Sequence, residues 1–491
     1  MRKESFMKSL YRPKLHFTPA KNWMNDPNGL VYDAYTKEYH LFFQYCDSLI
    51  EDQSQKYWGH AVSEDLVHWK ELAPAIEPDS LGGIWSGSCV IDSRNTSGFF
   101  DSSTPPASRM VAIFTYALGD ETYGWQKQAI AYSKDHGRTW IKYKYNPVIK
   151  GKDGDTILYD NRDPKVFWYS DEKSENGGVW VMIIAGLWAR IFTSENLRDW
   201  TFQGDVMYPD GRRHLESECP DLFPMLLDGR EDQVKWVYTG GGRFCVIGEL
   251  IYESGGRFVF KAETEQISPI VGCDDMYAAQ SFFNDPKGRR IGIYWMIDKT
   301  ADKLSEYGKI WDGYQSLPLE YKLVSTQHGP RLRMEPVEEI AAARNEKMIY
   351  FADGIKVDSM PVCLMKDTKD MVLDIEAVVD IQNCDGFEIA LRAIDNQKIL
   401  VGYSKKKQKL YLDRNASGRI KSGVYEMQLN PTNEGRIKLR IILDTSVIDV
   451  FANNAEAMFN AVVFPEKISG AIQLRAEGGT AILEKIQIYS F

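Results

Sequence analysis

Three stretches of this 491-residue chain share one pattern, and that pattern leaves few folds open. Ala61-Val62-Ser63-Glu64-Asp65-Leu66-Val67-His68-Trp69 compares with Ala131-Tyr132-Ser133-Lys134-Asp135-His136-Gly137-Arg138-Thr139-Trp140. A third copy is Ile191-Phe192-Thr193-Ser194-Glu195-Asn196-Leu197-Arg198-Asp199-Trp200. Each reads strand, polar turn, tryptophan. The tryptophans stand 71 and then 60 residues apart. A unit recurring at this length suggests propeller blades of four strands, lengthened by loops. Long helical periodicity is scarce, and short β-branched and aromatic runs between Gly, Asp and Asn turns signal an all-β chain. Residues from about 12 to 325 hold about five such units. A five-bladed β-propeller is therefore expected over residues 1–330, with generic hairpins as the competing reading. Trp69, Trp140 and Trp200 are assigned to blade packing.

Past Pro330 the texture shifts. Glu335 to Asn345 reads as a short helical connector, within a linker over 331–347. Alternation then returns: Ile437, Leu439 and Ile441 face one way, Lys438 and Arg440 the other. Antiparallel strands with one wet face suggest a β-sandwich over 348–491. It carries no acidic turn motif and is expected to be structural.

Such motifs occur three times in the first domain. Asn25-Asp26-Pro27-Asn28-Gly29 is boxed between Trp23 and Tyr32. Asp-Pro pushes Asp26 toward an extended conformation and Asn-Gly favours a tight reversal, so a carboxylate on a rigid turn beside aromatic surface is expected. Asn161-Arg162-Asp163-Pro164 and Glu218-Cys219-Pro220-Asp221 are the second and third. Strand-like apolar runs follow all three, and a closed all-β scaffold can bring such strand heads to one end of its axis.

Formal net charge is −10, and the one conspicuous basic run, Lys405-Lys406-Lys407, reads as a solvated turn. A nucleic-acid partner is not expected, and neutral sugars suit an acidic protein better than anionic polymers. No stretch approaches the roughly 18 apolar residues of a membrane span, so no membrane partner is expected. The seven cysteines are odd in number and include no Cys-x-x-Cys, so neither a disulfide framework nor a zinc site is indicated. The first eight residues lack the apolar core of a signal peptide, and the chain reads as cytoplasmic. No cofactor or metal is expected, and the oligomeric state stays open.

Trp-Met-Asn-Asp-Pro-Asn-Gly at 23–29, Arg-Asp-Pro at 162–164 and Glu-Cys-Pro at 218–220 resemble the glycoside hydrolase family 32 enzymes: invertases, sucrose-6-phosphate hydrolases and fructanases. Gln44-Tyr45, the run Trp58 to Trp69, Trp85-Ser86-Gly87-Ser88, and Leu443-Asp444 through Phe464-Pro465 extend the resemblance nearly end to end. It implies a retaining β-fructofuranosidase acting on sucrose, sucrose-6-phosphate or short fructo-oligosaccharides. By resemblance, Asp26 is the nucleophile, Glu218 the acid/base and Asp163 the transition-state stabiliser. Glycoside hydrolysis needs one carboxyl ionised and another protonated near neutral pH, and crowded carboxylates resist joint ionisation. Matched positions imply a fructose subsite of Asn25, Gln44, Trp58, Trp85, Ser86 and Arg162, with tryptophans walling the ring.

Cys219 reads either as a neighbour that excludes water and raises the Glu218 pKa or as a small buried hydrophobe. Ser217 replaces an aromatic common in relatives, Cys46 a proline, and Leu319 an arginine. Ser217 leaves the leaving-group side, and so the substrate, open. For a phosphorylated substrate, Arg212, Arg213, His214 and Arg243 are the nearest cationic candidates. Competing readings are a fructosyltransferase, a non-catalytic sugar-binding propeller, and an inverting arabinoside-acting propeller, which the 23–29 motif disfavours.

Overall fold

The structure, a computed structural model, describes residues 9–118, 126–150, 161–171, 177–208, 210–212, 216–253, 257–269, 275–368 and 372–491. Five sheets form a β-propeller and two more a β-sandwich. The first strands of the five blades are Asn22–Asp33, Gly83–Ile91, Arg162–Ser170, Asp221–Leu226 and Met276–Ser281. The first-blade strand lies against those of the second and fifth blades, and the second against the third, around the axis. Trp311–Asp312 crosses from the end of the ring to pair in parallel with Asn22–Trp23.

A blade sits between two neighbours, so its middle strands bury both faces. In Met110–Ala117, Met110, Ala112 and Phe114 join one inter-blade core while Val111 and Ile113 join the next. In Gly178–Ala185, Val181 and Ile183 face one core and Met182 and Ile184 the other. Period-2 side chains with both faces covered read as unbroken apolar runs.

The repeated tryptophan unit is the connection between the third and fourth strands of blades one, two and three. Asp65 Oδ1 accepts from the amides of Val67 and His68 at 2.9 and 2.8 Å, and Asn196 Oδ1 from those of Arg198 and Asp199, both at 2.9 Å. Asp135 Oδ1 accepts from Thr139 at 2.8 Å. Leu66, His136 and Leu197 each take a left-handed conformation, φ 64°, 60° and 61°. The Trp140 and Trp200 indoles donate to the carbonyls of Gly137 and Leu197, each at 3.0 Å. These tryptophans brace blades; none of the three lines the central pocket.

The outer strand of the fifth blade is Gly329–Pro336, paired throughout with Leu319–Thr326, so the propeller sheet reaches further than the linker expected from 331. A helix of five residues, Glu338–Ala342, follows within the segment read as helical. The sandwich then stacks two six-stranded sheets. In Arg436–Leu443, Ile437, Leu439 and Ile441 are buried and Lys438 is exposed, as the alternation predicts.

Buried ion pairs join sandwich to propeller. His16 Nδ1 lies 3.0 Å from Asp444 Oδ2 and Nε2 lies 3.2 Å from Asp449 Oδ2, with all three side chains fully buried. Backbone amides of Lys14, Leu15 and His16 donate to the Asp444 carboxylate at 2.9, 2.9 and 3.1 Å. Arg414 Nη1 meets Asp275 Oδ2 at 2.7 Å. Although burial alone would lower the His16 pKa, the two carboxylates outweigh it and hold the imidazole at about 9. This raised pKa contributes stability in full below the unfolded value of about 6.5, and the contribution is lost as pH rises through about 9. A shift of that size is worth about 3 kcal/mol. In urea unfolding, the wild type is expected to weaken between about pH 6.5 and 9.5 by that amount, and His16→Gln to lack this alkaline limb. An identical pH dependence in both proteins would rule out His16 as its source.

Candidate active site

The three acidic motifs meet at one end of the propeller axis, in a funnel of about 370 Å³. Every blade contributes at or near the start of its first strand: Asn25 and Asp26, Trp85 and Ser86, Arg162 and Asp163, Glu218, and Tyr277. Among the described residues, none of the lining comes from the sandwich.

The local backbone differs from the expected reversal. Asn25 to Gly29 lies inside the strand Asn22–Asp33, whose register slips between Met24 and Pro27 and again between Asn28 and Val31. An extra residue on one strand bends it and re-aims a side chain, and here that turns Asp26 into the funnel. Gly29, at φ 53°, passes so close to Phe42 and Trp58 that an added Cβ would fall 2.7 and 2.9 Å from their rings. Asp163 and Cys219 sit in left-handed conformations, φ 57° and 43°, a cost of order 1–3 kcal/mol for each non-glycine residue. Hydrogen bonds hold both. The Asp163 amide donates to Thr115 Oγ1 at 3.1 Å, and the Cys219 amide donates to Asp163 Oδ2 at 3.1 Å.

Each carboxylate has its own environment. Asp26 accepts from Ser86 Oγ at 2.6 Å on Oδ2 and from Asn25 Nδ2 at 3.0 Å on Oδ1. Burial pushes its pKa up, while the nearby Lys56 charge and these two donors oppose the rise. Asp163, with a side chain only 4% exposed, is pushed up to about 7, by burial first and then by Glu218 and Asp26, against the pull of Arg162. Burial thus comes ahead of crowding as the cause of the rise at Asp163. Glu218, 40% exposed toward the mouth, accepts from Arg162 Nη2 at 3.3 Å on Oε1 and from the Tyr277 hydroxyl on Oε2. The amide of Gly241 donates to the Glu218 carbonyl at 2.6 Å.

Of the residues matched to a sugar subsite, Asn25, Gln44, Trp85, Ser86 and Arg162 line the funnel. Trp58 does not. It is fully buried, its indole donating to the Trp85 carbonyl at 2.9 Å, so it props the wall instead of forming it. Cys219 is buried in a small cluster with Trp23, Cys46, Ala278 and Trp295, and its Sγ lies 3.6 Å from both Asp26 Oδ2 and Asp163 Oδ2. It therefore acts as a small buried side chain under these two carboxylates. Ser217 Oγ donates to the Gly186 carbonyl at 2.6 Å. Of the cationic candidates, Arg212 pairs with Asp210 and Glu265 at 2.6 and 2.8 Å, and Arg243 lies 4.8 Å over the Tyr277 ring. Arg213 and His214 lie outside the described residues.

Lys56, Glu51, Gln53, Gln126, Tyr277, Trp295 and Lys299 also line the funnel, and no sequence motif points to them. None stands in an acidic-Pro motif; Tyr277 and Trp295 lie in strands of the fifth blade, and the others between strands.

A propeller joined to a sandwich, with three carboxyl groups in one axial funnel, defines a class of glycoside hydrolase. The chain belongs to glycosyl hydrolases family 32: the family's N-terminal domain matches residues 16–336 and its C-terminal domain residues 339–490. It is 36% identical over 501 residues to a levanase of Bacillus subtilis (strain 168), covering 98% of this chain and 70% of that protein. It is 34% identical to a levanase of Bacillus sp. (strain L7), spanning 53% of that longer protein. The crystal structure of exo-inulinase from Aspergillus awamori superposes with a TM-score of 0.83 at 28% identity, over 99% of each chain.

Proposed function

We propose that the chain is a retaining β-fructofuranosidase that removes the terminal fructosyl residue of fructosides. The observation that carries this reading is the pairing of Asp26, gripped by Ser86 and Asn25, with Glu218, placed at the mouth between Arg162 and Tyr277. Asp26 attacks the anomeric carbon as Glu218 protonates the leaving oxygen. Glu218 then takes a proton from the water that cleaves the fructosyl ester. Asp163, buried in the funnel wall, hydrogen-bonds fructosyl hydroxyls as charge develops on the ring.

Fructans enter the proposal through the levanase and inulinase relatives, and sucrose and kestose through the same terminal linkage. Phosphorylated fructosides remain within it through Lys299, which lines the funnel 5.5 Å over the Trp23 ring. A cytoplasmic location belongs to the same proposal: the six described cysteines are free, as suits a reducing compartment. Cell fractionation tests it.

The activity is tested by hydrolysis of sucrose, sucrose-6-phosphate, kestose, inulobiose, levanbiose, inulin and levan, read by released fructose. Inactivity on all seven would remove the proposal. Stereochemistry is tested separately. Retention places nucleophile and acid about 5–5.5 Å apart, and NMR should show β-fructose before mutarotation. An α-anomer appearing first would mean that water, not Asp26, attacks.

A further inference from the structure

We propose that Lys56 is a positioning residue for Asp26: with its partner Glu51 it locks the Asn25 amide against the Asp26 carboxylate and supplies the positive charge that carboxylate needs. The inference rests on the reading of Asp26 as nucleophile. Lys56 is 4% exposed, and its Nζ reaches Glu51 Oε1 at 2.7 Å and Asn25 Oδ1 at 3.1 Å. The Trp23 indole donates to the same Asn25 oxygen at 2.9 Å. With two donors on its carbonyl, the Asn25 amide cannot flip, and its NH2 group is left facing Asp26 Oδ1 at 3.0 Å. The sequence Glu51, Lys56, Asn25, Asp26 is thus a chain of contacts running from the loop before Tyr57 to the reacting carboxylate.

Stability alone does not call for an ion pair at this place. Burying an ammonium is costly, and an apolar side chain of similar length is often as stable as a buried pair. The other charges around Asp26 work against its ionisation or are engaged elsewhere. Glu218 and Asp163 face it from the fourth and third blades as like charges or as an acid. Cys219, beneath it, is a thiol driven further toward its neutral form by burial and these carboxylates. Arg162 is turned toward Glu218 and Asp163, 3.3 and 3.6 Å away. Lys56 is the cation whose charge most favours ionised Asp26. Cys46 helps hold the loop in place, its Sγ accepting from the Asp52 amide at 3.4 Å.

The two partners must act with opposite signs. Lys56→Gln keeps an N–H donor and removes the positive charge, so the acid limb of kcat/KM on sucrose should move up by about one pH unit. Glu51→Gln leaves the Lys56 charge uncompensated, so its limb should move down. A purely structural role would lower the plateau in both without opposite shifts. A limb that stays put in Lys56→Gln, or shifts of the same sign, overturn the role of Lys56 while leaving an active wild type as a fructosidase. A wild type that hydrolyses no fructoside removes both readings. If Lys56→Gln fails to fold by circular dichroism, Glu51→Gln alone decides: a downward limb supports the proposal, and an unmoved or upward one overturns it.

Discussion

Replacing Asp26 by Asn is expected to lower kcat on sucrose by at least about 10⁴-fold, because an amide cannot form the fructosyl ester on which the reaction depends. The substitution nearly preserves shape. Asn25 Nδ2 still finds a carbonyl oxygen 3.0 Å away, and Ser86 Oγ turns from donor to acceptor across the 2.6 Å contact. Folding should therefore survive. Since burial already disfavours the Asp26 charge, the variant's thermal midpoint should equal or exceed that of the wild type. Steady-state kinetics and a thermal melt on one preparation test both halves. Activity within tenfold of wild type, with the substitution confirmed by mass, would mean that Asp26 is not the nucleophile.

Glu218→Gln is expected to cost about 10²–10⁴-fold on sucrose, whose glucosyl oxygen departs poorly without a proton. A fructoside with a good leaving group should lose far less, since its departure needs no acid. The glutamine carbonyl can still accept from Arg162 or from Tyr277, so the loss reports the missing proton more than a disturbed wall. The comparison of the two substrates carries the test. Equal losses on both would show that Glu218 does not protonate the leaving group, and would redirect attention to Asp163, the carboxyl held near pKa 7.

Much of the scaffold is legible in the sequence. The tryptophan repeat is local: an Asx-type cap and a left-handed residue, and in two copies an indole that closes its own turn, lie within eight residues, so each copy writes its geometry directly into the chain. Unbroken apolar runs such as Met110–Ala117 follow from blades covered on both faces. The acidic motifs were legible as well, since all three carboxylates stand at or beside the first strand of a blade.

What the chain alone decided is therefore the blade pattern, the order of the acidic motifs and the family they belong to. Tertiary closure decided the rest. Asn25 to Gly29 reads locally as a reversal, yet pairing with Glu38–Cys46 draws it into a bulged strand, because ladder hydrogen bonds along twelve residues outweigh one turn preference. Trp58 has the composition of a sugar platform, but the second blade closes over it. Lys56 meets Asn25 across 31 residues of chain, and Tyr277 meets Glu218 across 59. No local rule encodes such meetings. They arise where five strand heads converge, and burial at that point sets the Asp163 pKa at about 7 and brings a lysine of the neighbouring loop to Asp26.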